Sequence, residues 1–200
     1  MQLYDNVLRV PFLIRGPGIL PGTQLDIIAS MVDLTPTFVQ LAGGPAPSDT
    51  DGRSFAPFLL PKALPKPTKP WKTTHLTTYQ SIKTAECLWN GTARDPEAPS
   101  NLCGRHPVDA AGNTHTSIRI MNASHNLLYG EFTDVNDPDG WDFSLPSIEF
   151  FALFDLNVDP FQLHNIYHSS PLPTQQVLHA ELRRANTCRG QADGAANPCA

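Results

Sequence analysis

The stretch from residue 9 to residue 18 constrains the fold more than any other part of this chain. Residues 12–14 form a short apolar run that ends in Arg15 and a Gly-Pro-Gly turn. A run of this length bounded by turn residues is typical of a strand that is covered on both faces. Pro11 fits the start of such a strand, because proline cannot donate to a strand ladder. The pattern therefore predicts a buried strand of the parallel type, which needs neighbouring strands.

Two further segments follow this stretch in order, and a third lies near the end of the chain. Residues 32–37 read Val-Asp-Leu-Thr-Pro-Thr, residues 51–54 read Asp-Gly-Arg-Ser, and residues 154–166 run from Phe-Asp-Leu through Asp-Pro to Asn-Ile. Together with residues 9–18, these segments resemble four landmarks of the sulfatase family in their family order. The resemblance covers nearly the whole chain.

The resemblance implies an α/β fold of the alkaline phosphatase and sulfatase type. Residues 1–60 are expected to be the C-terminal end of the catalytic α/β domain, with its last strand and helix. Residues 61–72, rich in Pro and Lys, are expected to be a semi-rigid linker. Residues 73–200 are expected to form a small α+β subdomain with a four-stranded antiparallel sheet, a C-terminal helix and a cysteine-containing tail.

Local patterns in the second half predict the elements of that subdomain. Short runs rich in β-branched and aromatic residues predict strands. They lie at residues 73–79, 117–121, 126–132 and 150–155. Residues 174–185 predict an amphipathic helix whose apolar side holds Val177, Leu178, Leu182 and Ala185.

A helix is also predicted after Asp33 in the first half. Asp33 is a plausible N-cap, and Gly43 lies where a left-handed C-cap residue belongs. Leu34, Phe38 and Leu41 recur at helical spacing and are expected to face the core. Asp33 could instead serve as a metal ligand or catalytic acid, but its capping position and isolation favour the structural interpretation.

The net charge of −5 and the scattered basic residues argue against a nucleic-acid-binding protein, because phosphate binding needs clustered Lys and Arg. Lys62, Lys66 and Lys69 could form a patch for an anionic polymer, although lysines in a proline-rich stretch are usually only solvated. No apolar run approaches the roughly 18 residues that a membrane helix requires. We therefore expect neither a nucleic-acid partner nor a membrane span.

Two features predict passage through the secretory pathway, in the lysosome or outside the cell. Asn90 and Asn122 each begin a glycosylation sequon. The four cysteines are expected to form disulfides between sequence neighbours, although three pairings are open and free thiols are the alternative. These cysteines are Cys87, Cys103, Cys188 and Cys199. Because Arg9 interrupts the only early candidate for a signal-peptide core, no signal peptide is visible, and the chain is expected to be part of a longer protein.

The resemblance also implies a chemistry that this chain lacks. Sulfatases use a formylglycine, matured from a cysteine in C-x-P-x-R, together with calcium. No cysteine of the chain begins that motif. The calcium ligands are expected in an N-terminal catalytic half, and the acidic residues 133–142 lack the glycine and glutamate of an EF-hand loop. We therefore expect no metal ligands here and no activity from this chain alone.

The predicted function is that of the parent enzyme: a sulfuric ester hydrolase that acts on a sulfated glycosaminoglycan such as heparan or keratan sulfate. Its expected partners are that glycan and the N-terminal catalytic half. The polar candidates for contacting the glycan are His75, His115, Arg119 and His125. The alternative is a stand-alone, non-catalytic module that binds sulfated glycan or another partner. A serine hydrolase is disfavoured, because no G-x-S-x-G elbow occurs.

Overall fold

The computed structural model describes residues 3–45, 47, 50–67, 69–80, 113–133 and 143–187. The chain divides into two compact units. The first comprises Met1–Arg9, Thr77–Ser117 and Leu128–Ser169, and the second comprises Val10–Leu76, Ile118–Leu127 and Ser170–Ala200. In the described part of the chain, no helix is both long enough and apolar enough to cross a membrane.

A four-stranded antiparallel sheet forms, as the sequence predicts. Its strands are β1 (Thr74–Tyr79), β2 (His115–Met121), β3 (Asn126–Thr133) and β4 (Ile148–Asp155), and they are hydrogen-bonded in that order. In the β2–β3 hairpin, the Asn122 N–H donates to the His125 carbonyl at 2.9 Å and the Thr133 N–H to the Thr114 carbonyl at 3.1 Å. These two bonds keep one antiparallel register along the hairpin.

The core of the first unit lies against β3 and β4. Its buried members are Leu3, Leu128, Ala152, Phe154 and Leu156, with Phe132 packed against them. A Cβ atom at Gly130 would lie 2.9 Å from Leu3 Cδ2, so the glycine leaves room for Leu3 to rest on the sheet. The short helix α1 (Asp5–Leu8) follows, and its first N–H donates to the Gln162 side chain at 2.5 Å.

The outer edge of β4 is covered by the chain that follows it. The Asn165 Oδ1 accepts from the Leu153 N–H at 3.0 Å, and the Asn165 Nδ2 donates to the Phe151 carbonyl at 2.8 Å. The Ile166 N–H adds a bond to the Leu153 carbonyl at 2.9 Å. One side chain thus pairs with β4 much as a neighbouring strand would.

The turn between β4 and Asn165 is shaped by two aspartates. The Asn157 N–H donates to Asp155 Oδ1 at 3.0 Å, and the His164 N–H donates to Asp159 Oδ2 at 2.8 Å. The bond from His164 is the main cause that lowers the pKa of Asp159. Both carboxylates therefore act on the backbone, as expected of Asx turns.

In the second unit, a 3₁₀ turn (Met31–Asp33) continues into helix α2 (Leu34–Leu41), and Gly43 follows with φ of 87°. The predicted helix and its left-handed C-cap are confirmed. The prediction that Phe38 faces the core is wrong, since this side chain is 53% exposed. The buried positions include Asp33 and Thr37, because the Thr37 hydroxyl accepts from the Phe55 N–H at 3.1 Å and donates to the Asp33 carbonyl at 2.6 Å.

Phe55 precedes the short helix α3 (Ala56–Leu59), whose Ala56 and Leu59 are buried. The Asp-Gly-Arg-Ser segment therefore leads into packed apolar residues.

The strand predicted over residues 12–14 does not form within this chain. Residues 9–16 have no regular secondary structure, Phe12 is 50% exposed and Leu13 is 95% exposed. In the described part of the second unit, the Phe12 ring contacts one other ring, that of Phe55 at 6.1 Å edge to face. The physical reason is that a strand covered on both faces needs neighbouring strands. None of the four described strands pairs with this segment.

Helix α4 (Leu172–Asn186) confirms the predicted C-terminal helix. Leu178 and Leu182 are buried, one helical turn apart. Val177 was expected on the same side but is 61% exposed. The buried stripe is therefore narrower than the predicted one.

Candidate functional site

The second unit contains a fully buried carboxylate, that of Asp33, which accepts hydrogen bonds from three segments. Its Oδ2 accepts from the Ser30 N–H at 2.8 Å, the Ser30 hydroxyl at 3.1 Å and the Lys72 ammonium at 2.6 Å. Its Oδ1 accepts from the Arg53 N–H at 2.8 Å. A carboxylate occupied by these donors is a structural anchor, so the interpretation as a metal ligand or catalytic acid is not supported.

The capping role of Asp33 differs from the predicted one. Its side chain makes no cap bond to α2. Instead, it reaches back to the N–H of Ser30, the residue that caps the preceding 3₁₀ turn. This is the reciprocal half of a capping box.

The residues that lead into β1 are held in place by aromatic and basic contacts. The Trp71 indole N–H donates to the Ile28 carbonyl at 2.7 Å, and its ring meets that of Phe58 edge to face at 5.4 Å. The Arg53 guanidinium lies 5.2 Å from the centre of the Trp71 ring and donates to the Pro70 carbonyl at 2.8 Å. The end of the proline-rich segment is therefore fixed, together with Lys72, around Asp33.

Position 52, in the Asp-Gly-Arg-Ser segment, requires glycine for a steric reason. A Cβ atom at Gly52 would lie 1.8 Å from the Val32 carbonyl oxygen, a distance at which atoms overlap. Only glycine allows this close approach, which brings the Arg53 N–H to Asp33.

Two of the four predicted glycan contacts lie opposite each other in the sheet. The Met121 N–H donates to the Thr73 carbonyl at 2.7 Å, and this register of β1 and β2 places His75 across from Arg119. Directly opposed residues of antiparallel strands share a face. Burial is the main cause that lowers the pKa of His75; the nearby Lys72 lowers this pKa further, while Asp33 acts in the opposite direction.

Arg119 and His125 both belong to the β2–β3 hairpin. The Arg119 guanidinium donates to the Leu127 carbonyl at 3.1 Å and to the Asn126 side-chain oxygen. His125 is exposed in the connecting turn, where its N–H donates to the Asn122 Oδ1 at 2.9 Å. Strand β3 thus orients Arg119, whereas His125 lies in the turn at the tip of the β2–β3 hairpin.

His115 is placed in the interior of the first unit. It is fully buried, its Nδ1 lies 2.7 Å from the Asn113 carbonyl oxygen, and its ring lies between those of Tyr79 and Phe132 at 5.7 and 5.1 Å. In this structure the His115 side chain offers no surface to a ligand.

A second buried carboxylate, that of Glu131 in β3, is not among the residues predicted from the sequence. The Tyr129 hydroxyl donates to Glu131 Oε1 at 2.6 Å, and both residues are fully buried. The Tyr167 ring stacks on that of Tyr129 at 6.0 Å, and burial together with the Glu131 charge raises the pKa of Tyr167. The available signal was the i, i+2 spacing of Tyr129 and Glu131, which places both side chains on one face of a strand.

Several predicted sites lie outside the described residues. They are Asn90, Cys87, Cys103, Cys188 and Cys199, and the acidic residues 134–142, which were not predicted as a site, also lie outside. Within the described ranges, no group of three or more His, Cys, Asp or Glu side chains could hold a metal ion.

Comparison with known proteins assigns the chain to a class. Residues 1–89 match the family model for N-sulphoglucosamine sulphohydrolase, C-terminal. The N-acetylglucosamine-6-sulfatase of Capra hircus is 30% identical over an alignment of 197 residues, and the match covers 94% of this chain and 31% of that protein. The extracellular sulfatase SULF-1 homolog of Drosophila melanogaster is 51% identical over 57 residues, which are 28% of this chain and 5% of that protein.

These matches identify the chain as the C-terminal portion of a protein of the sulfatase family. Within that family, it is similar to N-acetylglucosamine-6-sulfatase along nearly its whole length. The chain spans about a third of the length of the curated relatives it matches, 31% in the goat protein.

A solved structure of a protein in complex with its substrate D-glucosamine-2-N,6-O-disulfate also resembles the chain. It is 22% identical with a TM-score of 0.46, and the match covers 77% of this chain and 23% of that protein. The family assignment therefore depends on the sequence matches.

Proposed function

We propose that this chain is the C-terminal part of a sulfuric ester hydrolase that removes sulfate from a glycosaminoglycan, with heparan or keratan sulfate as the substrate class. The observation that carries the proposal is the match to N-acetylglucosamine-6-sulfatase over 94% of the chain. The name of the Drosophila relative, an extracellular sulfatase, supports passage of the parent enzyme through the secretory pathway.

In this proposal the nucleophile and the calcium site belong to an N-terminal catalytic half. The sequence contains no C-x-P-x-R, so no cysteine of the chain can be matured in the family's way. The chain by itself is therefore proposed to be inactive. Its role is to complete the catalytic half and to contribute glycan contacts.

Among the candidate contacts, Arg119 and His75 are the best placed to act together. They lie opposite each other on one face of β1 and β2, and Arg119 is oriented by two acceptors from β3. A guanidinium binds a sulfate oxygen pair in the same forked geometry that it uses for carboxylate and phosphate. The exposed His125 is a further candidate, while a contact from His115 would require its buried ring to become accessible.

The experiment is a chimera in which this chain replaces the matching region of the goat enzyme. We expect the secreted, monodisperse chimera to release sulfate from N-acetylglucosamine-6-sulfate, and the chain alone to release none. Arg119→Ala should raise KM, with Asn6→Ala as an exposed control that leaves it unchanged. A folded, formylglycine-containing chimera that releases no sulfate from this substrate would refute the proposal.

The alternative, a non-catalytic module, makes a different prediction. The chain alone would then bind heparin oligosaccharides, and the natural transcript would contain no upstream C-x-P-x-R. Mapping the 5′ end of that transcript separates the two functions, because the sulfatase function requires the motif upstream in the same reading frame.

A further inference from the structure

We propose that Asn122 is a modification site that carries an N-linked oligosaccharide at the tip of the β2–β3 hairpin. The sequence Asn122-Ala123-Ser124 satisfies the acceptor pattern, since the middle residue is not proline. The pattern alone occurs often by chance, so the inference depends on the geometry of the turn.

The first geometric observation is access. Residues 122–125 are all exposed, and they form the connection between β2 and β3. The Asn122 N–H donates to the His125 carbonyl at 2.9 Å and so closes the turn at the end of the strand ladder. A sugar chain on Asn122 would extend from this tip into solvent without displacing a buried side chain.

The second observation is the conformation of the acceptor itself. The Asn122 Oδ1 accepts from the Ser124 N–H at 2.9 Å and from the His125 N–H at 2.9 Å. This Asx turn occupies the carboxamide oxygen and leaves the Nδ2 to face an enzyme. Since the bonds join residues two and three positions apart, they can form in a nascent chain before the sheet does.

The chemistry needs a lipid-linked oligosaccharide diphosphate as the sugar donor. The Asn122 Nδ2 attacks the anomeric carbon of the donor, and an N–C bond forms. The bond between that carbon and the phosphate oxygen breaks, and the lipid diphosphate leaves with the electron pair. One Nδ2 proton is lost to a base, so the product is a neutral glycosyl amide.

This proposal relies on the secretory passage included in the proposed function, but not on sulfatase activity. The test is translation of the full chain, with an added cleavable signal sequence, in the presence of microsomes. The Asn90→Gln background removes the other sequon. We expect the protease-protected chain to show one mobility shift that an endoglycosidase reverses, and mass spectrometry to assign it to Asn122.

Two variants separate the sequon from the fold. Ser124→Ala should abolish the shift, whereas Ser124→Thr, which keeps the hydroxyl, should retain it. A protease-protected chain that stays unshifted in both the Asn90→Gln and the Asn90→Gln, Ser124→Thr forms would overturn the proposal. A modified chain whose goat chimera releases no sulfate would keep this site and refute only the sulfatase function.

Discussion

The ammonium of Lys72 lies 2.6 Å from the carboxylate of Asp33, which is fully buried, while the Lys72 side chain is 14% exposed. The two residues are 39 positions apart in sequence. Their pairing fixes the residues that enter β1 against the start of α2, within one unit of the chain. It also joins the end of the proline-rich segment to residues 32–37.

Replacing Lys72 with methionine should lower the free energy of unfolding by about 3 kcal/mol, because the buried carboxylate loses its countercharge. Urea denaturation at neutral pH measures the change. Lys62→Met is the control, since Lys62 is exposed, and it should stay within about 0.5 kcal/mol of the parent chain. Equal stability of the two variants would show that the ion pair does not stabilise the fold.

Replacing Gly52 with alanine should destabilise the chain by at least about 2 kcal/mol, because the new Cβ would overlap the Val32 carbonyl oxygen. Gly16→Ala is the matched control. The nearest heavy atom to a Cβ there is Ile19 Cδ1 at 3.6 Å, an ordinary contact. Unfolding midpoints in urea should separate the two variants clearly, and a Gly52→Ala chain as stable as Gly16→Ala would contradict the close approach of Val32 and Gly52.

Replacing Asn165 with alanine should cost about 1–2 kcal/mol, since it removes the bonds to the Leu153 N–H and the Phe151 carbonyl. Hydrogen exchange at the Leu153 amide should also become faster, which localises the effect to the β4 edge. Asn6→Ala, at an exposed position, is the control. Unchanged protection of the Leu153 amide would indicate that the edge is held by other bonds.

The chain should lose stability as the pH falls below about 6.5, in part through His75. Burial lowers the pKa of His75 in the folded chain, so the unfolded chain binds the proton more readily. The stabilising contribution is therefore present above the unfolded pKa and is lost as pH falls through the folded pKa. His75→Gln should reduce the drop in melting temperature between neutral and acidic pH, and the surface replacement His125→Gln is the control. An identical drop in all three chains would contradict this origin.

Much of the fold could be predicted from local patterns, for reasons that particular residues illustrate. The four strands and α4 follow from alternation and helical spacing, which depend on neighbours in sequence. The misplaced Phe38 shows the limit of this approach. Phe38 belongs to a set of apolar residues at helical spacing, which predicted that it faces the core. The face of α2 that is buried instead contains Thr37, which is hydrogen-bonded to Phe55 and Asp33.

The candidate site was less predictable, because its geometry depends on distant pairings. Arg119 and His75 could be recognised as polar residues on strands, but their opposition depends on the β1–β2 register. His115 looked equally available in the sequence, yet its ring lies buried between Tyr79 and Phe132. The contact of Lys72 with Asp33 has no local signal, since Lys72 lies at the end of a proline-rich segment with other lysines.

The exposed stretch around Leu13 has a practical consequence for anyone who handles this chain in isolation. Val10, Phe12 and Leu13 are close in sequence and all exposed, with Leu13 95% exposed. Solubility should therefore be governed by this strip and not by the net charge. Light scattering should rise with protein concentration and with added ammonium sulfate, which strengthens apolar association, and a Leu13→Ser chain should remain clear under the same conditions.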